Sequence, residues 1–64
     1  MELPAADEIK RIRAELRLTQ KVAAQLIYVS INCWQKYEEG TRKISPAAWE
    51  LFQLKTGLIN LDEI

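Results

Sequence analysis

The stretch LTQKVAAQLIYVSINCWQKYEEG, Leu18 to Gly40, decides how this chain folds. Thr19 precedes a run in which Val22, Ala23, Leu26 and Ile27 form one apolar stripe, the pattern of an N-capped helix over Gln20 to Ile27. A break at Tyr28-Val29 follows, and Ser30 caps a further helix that ends at Gly40, a residue suited to a left-handed C-terminus. The two helices are joined by only about three residues. Within the second of them, Trp34 and Tyr37 stand three apart on what reads as the inward side. Asn32, Gln35 and Lys36 share the opposite side by their i, i+3 and i+4 spacing.

Working outward, Ala5, Ile9, Ile12 and Leu16 recur at helical spacing and predict a first helix over residues 6–17. Asp7 and Glu8 fall in its early turns, where the helix dipole favours anions. On the other side Ser45 reads as a cap with Pro46 as the first helical residue, where a missing N–H costs nothing. Ile44 and Trp49 are placed to form a hydrophobic staple, Trp49, Phe52 and Leu51 to face inward, and Gly57 to end the helix. The remaining tail is apolar at Leu58, Ile59, Leu61 and Ile64 and is too short for more than about one turn. The expected fold is all-α, a compact four- to five-helix bundle forming a single domain over residues 1–64.

Sixty-four residues lie close to the lower limit for a self-supporting core, and 48% of them are apolar. Formal charge is zero, yet residues 10–43 carry a local charge of +5 between acidic ends of −3 and −2. A basic middle on a neutral domain is the pattern of a polyanion-binding face. No apolar run approaches a membrane span. The lone cysteine, Cys33, with no leader ahead of the domain, leads us to expect a reducing cytoplasm. The chain lacks histidine, a Gly-rich phosphate loop and a metal-ligand cluster, so no enzyme, metal or cofactor is expected, and no small-molecule ligand is evident.

Two short helices and a tight turn, the second helix capped by Ser, are the ingredients of a helix-turn-helix. LTQKVAAQLIYVSINCWQKYEEGTRKISP, followed by AAWELFQLKTG, resembles the Cro/C1-type (XRE-like) helix-turn-helix family, in particular small phage- or prophage-type regulators. The resemblance covers roughly residues 9–57. It implies a lambda-repressor-like bundle with the motif at about residues 20–39. Ala24 would be small where the two helices cross, and Ala23, Ile27, Val29, Trp34 and Tyr37 would be buried in the motif core.

The resemblance also implies a sequence-specific transcriptional regulator, of repressor type, binding double-stranded DNA as a homodimer on a palindromic operator. The outer side of the second motif helix would enter the major groove, with Ile31, Asn32, Gln35 and Lys36 touching bases. Gln20, Lys21, Ser30, Arg42 and Lys43 would lie along phosphates, Ser30 serving there or only as a cap. Arg13 and Glu38 match an arginine and a glutamate that pair between the first and third helices. Two positions depart from the family's usual glycine, Arg17 and Tyr28, and both are expected at positive φ. A competing expectation is a protein-interaction module on the same fold, such as an antitoxin-like partner, using Val22, Leu26 and the apolar tail.

Overall fold

A computed structural model describes residues 3–59. It contains, among the described residues, four helices and no strand: α1 (Ala6–Glu15), α2 (Gln20–Leu26), α3 (Ile31–Glu39) and α4 (Pro46–Thr56). The bundle is all-α, and none of these helices is long and apolar enough to cross a membrane.

Three of the four starts are made by hydroxyl caps. Thr19, Ser30 and Ser45 sit in extended backbone, and their side-chain oxygens accept the N–H of Val22, Cys33 and Ala48, each at 3.1 Å. Each satisfies a donor that the first helical turn leaves without a partner. α1 starts on Ala5 with no side-chain cap, and the acidic pair Asp7 and Glu8 occupies its first turn.

The four helices also end alike. Arg17, Tyr28, Gly40 and Gly57 take φ of 59°, 59°, 83° and 79°. In each case the next residue returns its N–H to a carbonyl five positions back: Leu18 to Arg13, Val29 to Ala24, Thr41 to Lys36 and Leu58 to Gln53. This closure satisfies the last carbonyls of a helix and requires a left-handed residue. Arg17 and Tyr28 therefore adopt the positive φ expected for them. The same closures shorten α1 and α2 relative to the expected 6–17 and 20–27, because a helix cannot run through a positive φ.

The core is Ile9, Ala23, Ala24, Ile27, Trp34, Tyr37, Ile44, Trp49 and Phe52, with Ile12, Leu16, Leu18, Leu26, Val29, Cys33, Ala48 and Leu51 packed half-buried against it. Ala23 and Ala24 are fully covered where α2 meets its neighbours. The aromatics form a continuous group: Trp49 stacks on Phe52 and Phe52 meets Trp34, each at 5.3 Å, and Trp34 meets Tyr37 edge-on at 6.1 Å. Such pairs add about 0.5–1.5 kcal/mol each beyond area burial. Two expected stripe positions are not inward. Ala5 is exposed as the cap of α1, with half-buried Ala6 behind it, and Val22 is exposed on the outer side of α2. Leu58 is exposed and Ile59 half-buried, while Leu61 and Ile64 lie outside the described residues.

The two non-glycine exits predict different responses. Arg17 is exposed, and its side chain makes no hydrogen bond among the described residues. Arg17→Gly should relieve about 1–2 kcal/mol of backbone strain, offset by about 0.4–1 kcal/mol of added freedom in the unfolded chain. A small rise in Tm is expected. Tyr28→Gly gains the same relief but loses the contact with Lys55, whose ammonium lies 2.8 Å from the phenol oxygen and 4.0 Å from the ring centre. It should change Tm less. Thermal melts of both variants check this, and a fall in Tm for Arg17→Gly would contradict it.

Candidate nucleic-acid interface

The caps and turns above fix α3 with its aromatic side inward, and the opposite side is what the molecule presents. Ile31 at the first turn is 42% exposed, and Asn32 and Lys36 are exposed beside it. Ser30 is exposed as well, its oxygen accepting the Cys33 N–H while its own O–H remains able to donate. Lys21, Arg42 and Lys43 are all exposed. Arg42 lies near the half-buried Cys33, with Nη1 3.8 Å from the sulfur. Hydrogen bonding to that thiol, together with burial, pushes the Tyr37 hydroxyl above its ordinary value, and Arg42 pulls the other way.

Behind the presented face stands a clamp between α1 and α3. Arg13 Nε donates to Glu38 Oε2 at 2.5 Å, Arg13 Nη2 to Glu38 Oε1 at 3.1 Å, and Arg13 Nη1 to the Leu18 carbonyl at 2.8 Å. The Arg13 side chain is 16% exposed and that of Glu38 only 4%. Glu38 takes two further donors: Gln20 Nε2 at 3.1 Å and the indole N–H of Trp34. One carboxylate thus joins α1, the start of α2 and the core tryptophan of α3. The expected Arg13–Glu38 pair is present, and no buried side-chain N or O is unpartnered among the described residues.

Burial alone would raise the Glu38 pKa. Hydrogen bonds from Arg13, Trp34 and Gln20, and the charge of Arg13, outweigh it and hold the carboxyl below its ordinary 4.5.

Gln20 and Gln35 stand differently from their expected roles. Both are half-buried rather than freely displayed, and Gln35 Nε2 donates to Gln20 Oε1 at 3.3 Å. Gln20 therefore turns its amide nitrogen inward to Glu38 and its carbonyl toward Gln35, leaving one N–H for any outer partner. The reason is the short distance between the start of α2 and the inner edge of α3, which their close packing imposes.

The fold also adds Lys10, which the sequence did not single out. It lines one open cleft with Gln20, Gln35, Glu38 and Glu39. Nothing local in the sequence marks it, since it belongs to α1 and only the packing of α1 against α3 brings it there. Trp34 likewise proves to be a donor to the clamp as well as a core residue. Among the described residues no group of three or more His, Cys, Asp or Glu side chains is placed to hold a metal ion.

The clamp sets an acid limit. Because the folded pKa of Glu38 is lowered, its contribution is full above its ordinary 4.5 and is lost as pH falls through the folded value. Glu38→Gln leaves the partly buried Arg13 charge uncompensated and should cost about 3–5 kcal/mol at neutral pH, much of the stability of so small a domain. Its Tm should also fall less than that of the wild type between neutral pH and about pH 2. Parallel melts across that range read both effects, and identical pH profiles would exclude Glu38 as the titrating group.

No family model matches the chain. A protein described as "Type II methyltransferase M.MspI", from Moraxella sp, is 40% identical to it over 57 residues, a stretch covering 88% of this chain and 14% of that protein. The chain thus spans about one seventh of the length of the curated relative it matches, and it is similar to a segment of a much larger enzyme.

Proposed function

We propose that this chain is a sequence-specific DNA-binding transcriptional regulator of Cro/C1 type, setting α3 in the major groove. The observation that supports it best is the division of α3: its aromatic side is locked in the core and to the clamp, while Ile31, Asn32 and Lys36 stand out from the same two turns. An amide, a lysine and an aliphatic group at a helix start suit adenine, guanine and the thymine methyl. Exposed Lys21, Arg42 and Lys43 supply the cations that phosphates require. The chain acts as a homodimer on a palindromic site, of repressor type, in the cytoplasm. One such helix contacts only a few base pairs, and two-fold symmetry is the common way to extend the site. The exposed Leu58, next to the undescribed tail, is the part of the molecule that favours a dimer contact there.

The chain is non-catalytic in this reading, and its likeness to a seventh of a methyltransferase fits a module that a larger enzyme also carries. That likeness, with exposed Val22 and Leu58, equally favours a second reading, a protein-interaction module that docks on a partner.

Selection of bound sequences from a random duplex pool separates the two. The DNA-binding reading expects a palindromic consensus, and absence of any enriched sequence would favour the interaction module. Asn32→Ala should cost about 1–3 kcal/mol on the selected site and little on random DNA, with Tm nearly unchanged. Replacing Arg42 and Lys43 together with Ala should weaken all sequences similarly and reduce the slope of log K against log salt by about two. An unchanged slope would remove both from the phosphate contacts.

A further inference from the structure

The Glu38 side chain is almost fully covered at the base of an open cleft, two hydrogen bonds from Gln35 on the edge of the same helix. A carboxylate held ionised by Arg13 can only accept, so the group Gln20 turns toward it must be the amide N–H₂. That choice leaves the Gln20 carbonyl for Gln35, and a carbonyl can only accept as well. Gln35 must then offer its own N–H₂ inward. The polarity of both amides follows from the charge state of one buried residue.

We propose that Glu38 is a positioning residue for base recognition: through Gln20 it fixes the Gln35 amide in one orientation and commits that residue to adenine. The inference rests on the reading that α3 faces bases. With one N–H anchored on Gln20, Gln35 keeps its carbonyl oxygen and its second N–H for the DNA. That donor–acceptor pair matches N7 and the N6 amino group of adenine. Guanine presents two acceptors, N7 and O6, and would leave the Gln35 carbonyl facing an acceptor. An unanchored amide can rotate to bring its N–H₂ group to guanine, whereas an anchored one cannot. Discrimination at that base pair is thus set by a largely buried carboxylate that acts through Gln20.

Two measurements test the relay. In the first, wild type, Gln35→Ala and Gln20→Leu each select from a random duplex pool. Wild type is expected to choose adenine at the position that Gln35→Ala makes indifferent. Gln20→Leu should lower the adenine-over-guanine preference there about tenfold and leave the positions read by Asn32 alone. If Gln20→Leu keeps the wild-type adenine preference, or weakens every sequence equally, Gln20 is only a phosphate contact; the relay is then wrong, and base reading by α3 stands. If wild type selects no site, the underlying reading falls and the relay with it.

The second measurement needs no DNA. Side-chain ¹⁵N relaxation should show the Gln35 amide ordered in wild type and mobile in Gln20→Leu, with the backbone spectrum of a folded protein in both. A Gln35 amide equally mobile in the two overturns the relay.

Discussion

Three of the four short helices, α1, α2 and α3, meet around one largely buried carboxylate, and the architecture depends on how fully that carboxylate is partnered. Burying a lone anion would cost several kcal/mol even after relaxation. Glu38 avoids that by collecting donors from three directions: a guanidinium on α1, an amide at the start of α2 and an indole on its own helix. Each donor in turn constrains something else. Arg13 also holds the Leu18 carbonyl in the α1–α2 turn, Trp34 fills the centre of the core, and Gln20 reaches Gln35. A hydrophobic replacement of similar volume would match the stability of such a pair, but it would not give α1, α2 and α3 a shared orientation.

The rest of the frame is made by the helix ends. Hydroxyl caps at three starts and left-handed residues at all four exits pair some of the backbone groups that short helices leave open. At Gly40 and Gly57 this backbone is free of Cβ strain, and an added Cβ would meet nothing closer than 3.5 Å, so conformation rather than space favours glycine there. At Arg17 and Tyr28 the same geometry is imposed on ordinary residues by the packing of the helices on either side.

Most of the fold was legible in the sequence because it is written in local signals. Thr19, Ser30, Ser45 with Pro46, Gly40 and Gly57 mark helix ends through chemistry that acts within a few residues, and Trp34, Tyr37, Trp49 and Phe52 mark the core by size and period. The Arg13–Glu38 pair came only from resemblance, since no spacing rule joins positions 25 apart. What the sequence missed is of one kind. The inward turn of Gln20, the half-burial of Gln35 and the arrival of Lys10 beside them depend on how closely α1 and α2 approach α3. Side-chain polarity ranks an amide as surface, and a carboxylate within hydrogen-bond reach of Gln20 reverses that ranking. Val22 failed because a stripe drawn at 100° per residue is wider than the face so short a helix buries, and Ala5 because it precedes α1 as its extended cap.

The shortness of α1 and α2 bears on where their stability comes from. Helices of 10 and 7 residues fall below the length at which an isolated helix persists in water. Neither has its polar anchor until Glu38 exists, and the core they cover is centred on Trp34. α3 supplies the anchor and the aromatic centre together, so α1 and α2 depend on it for their stability rather than standing helix by helix.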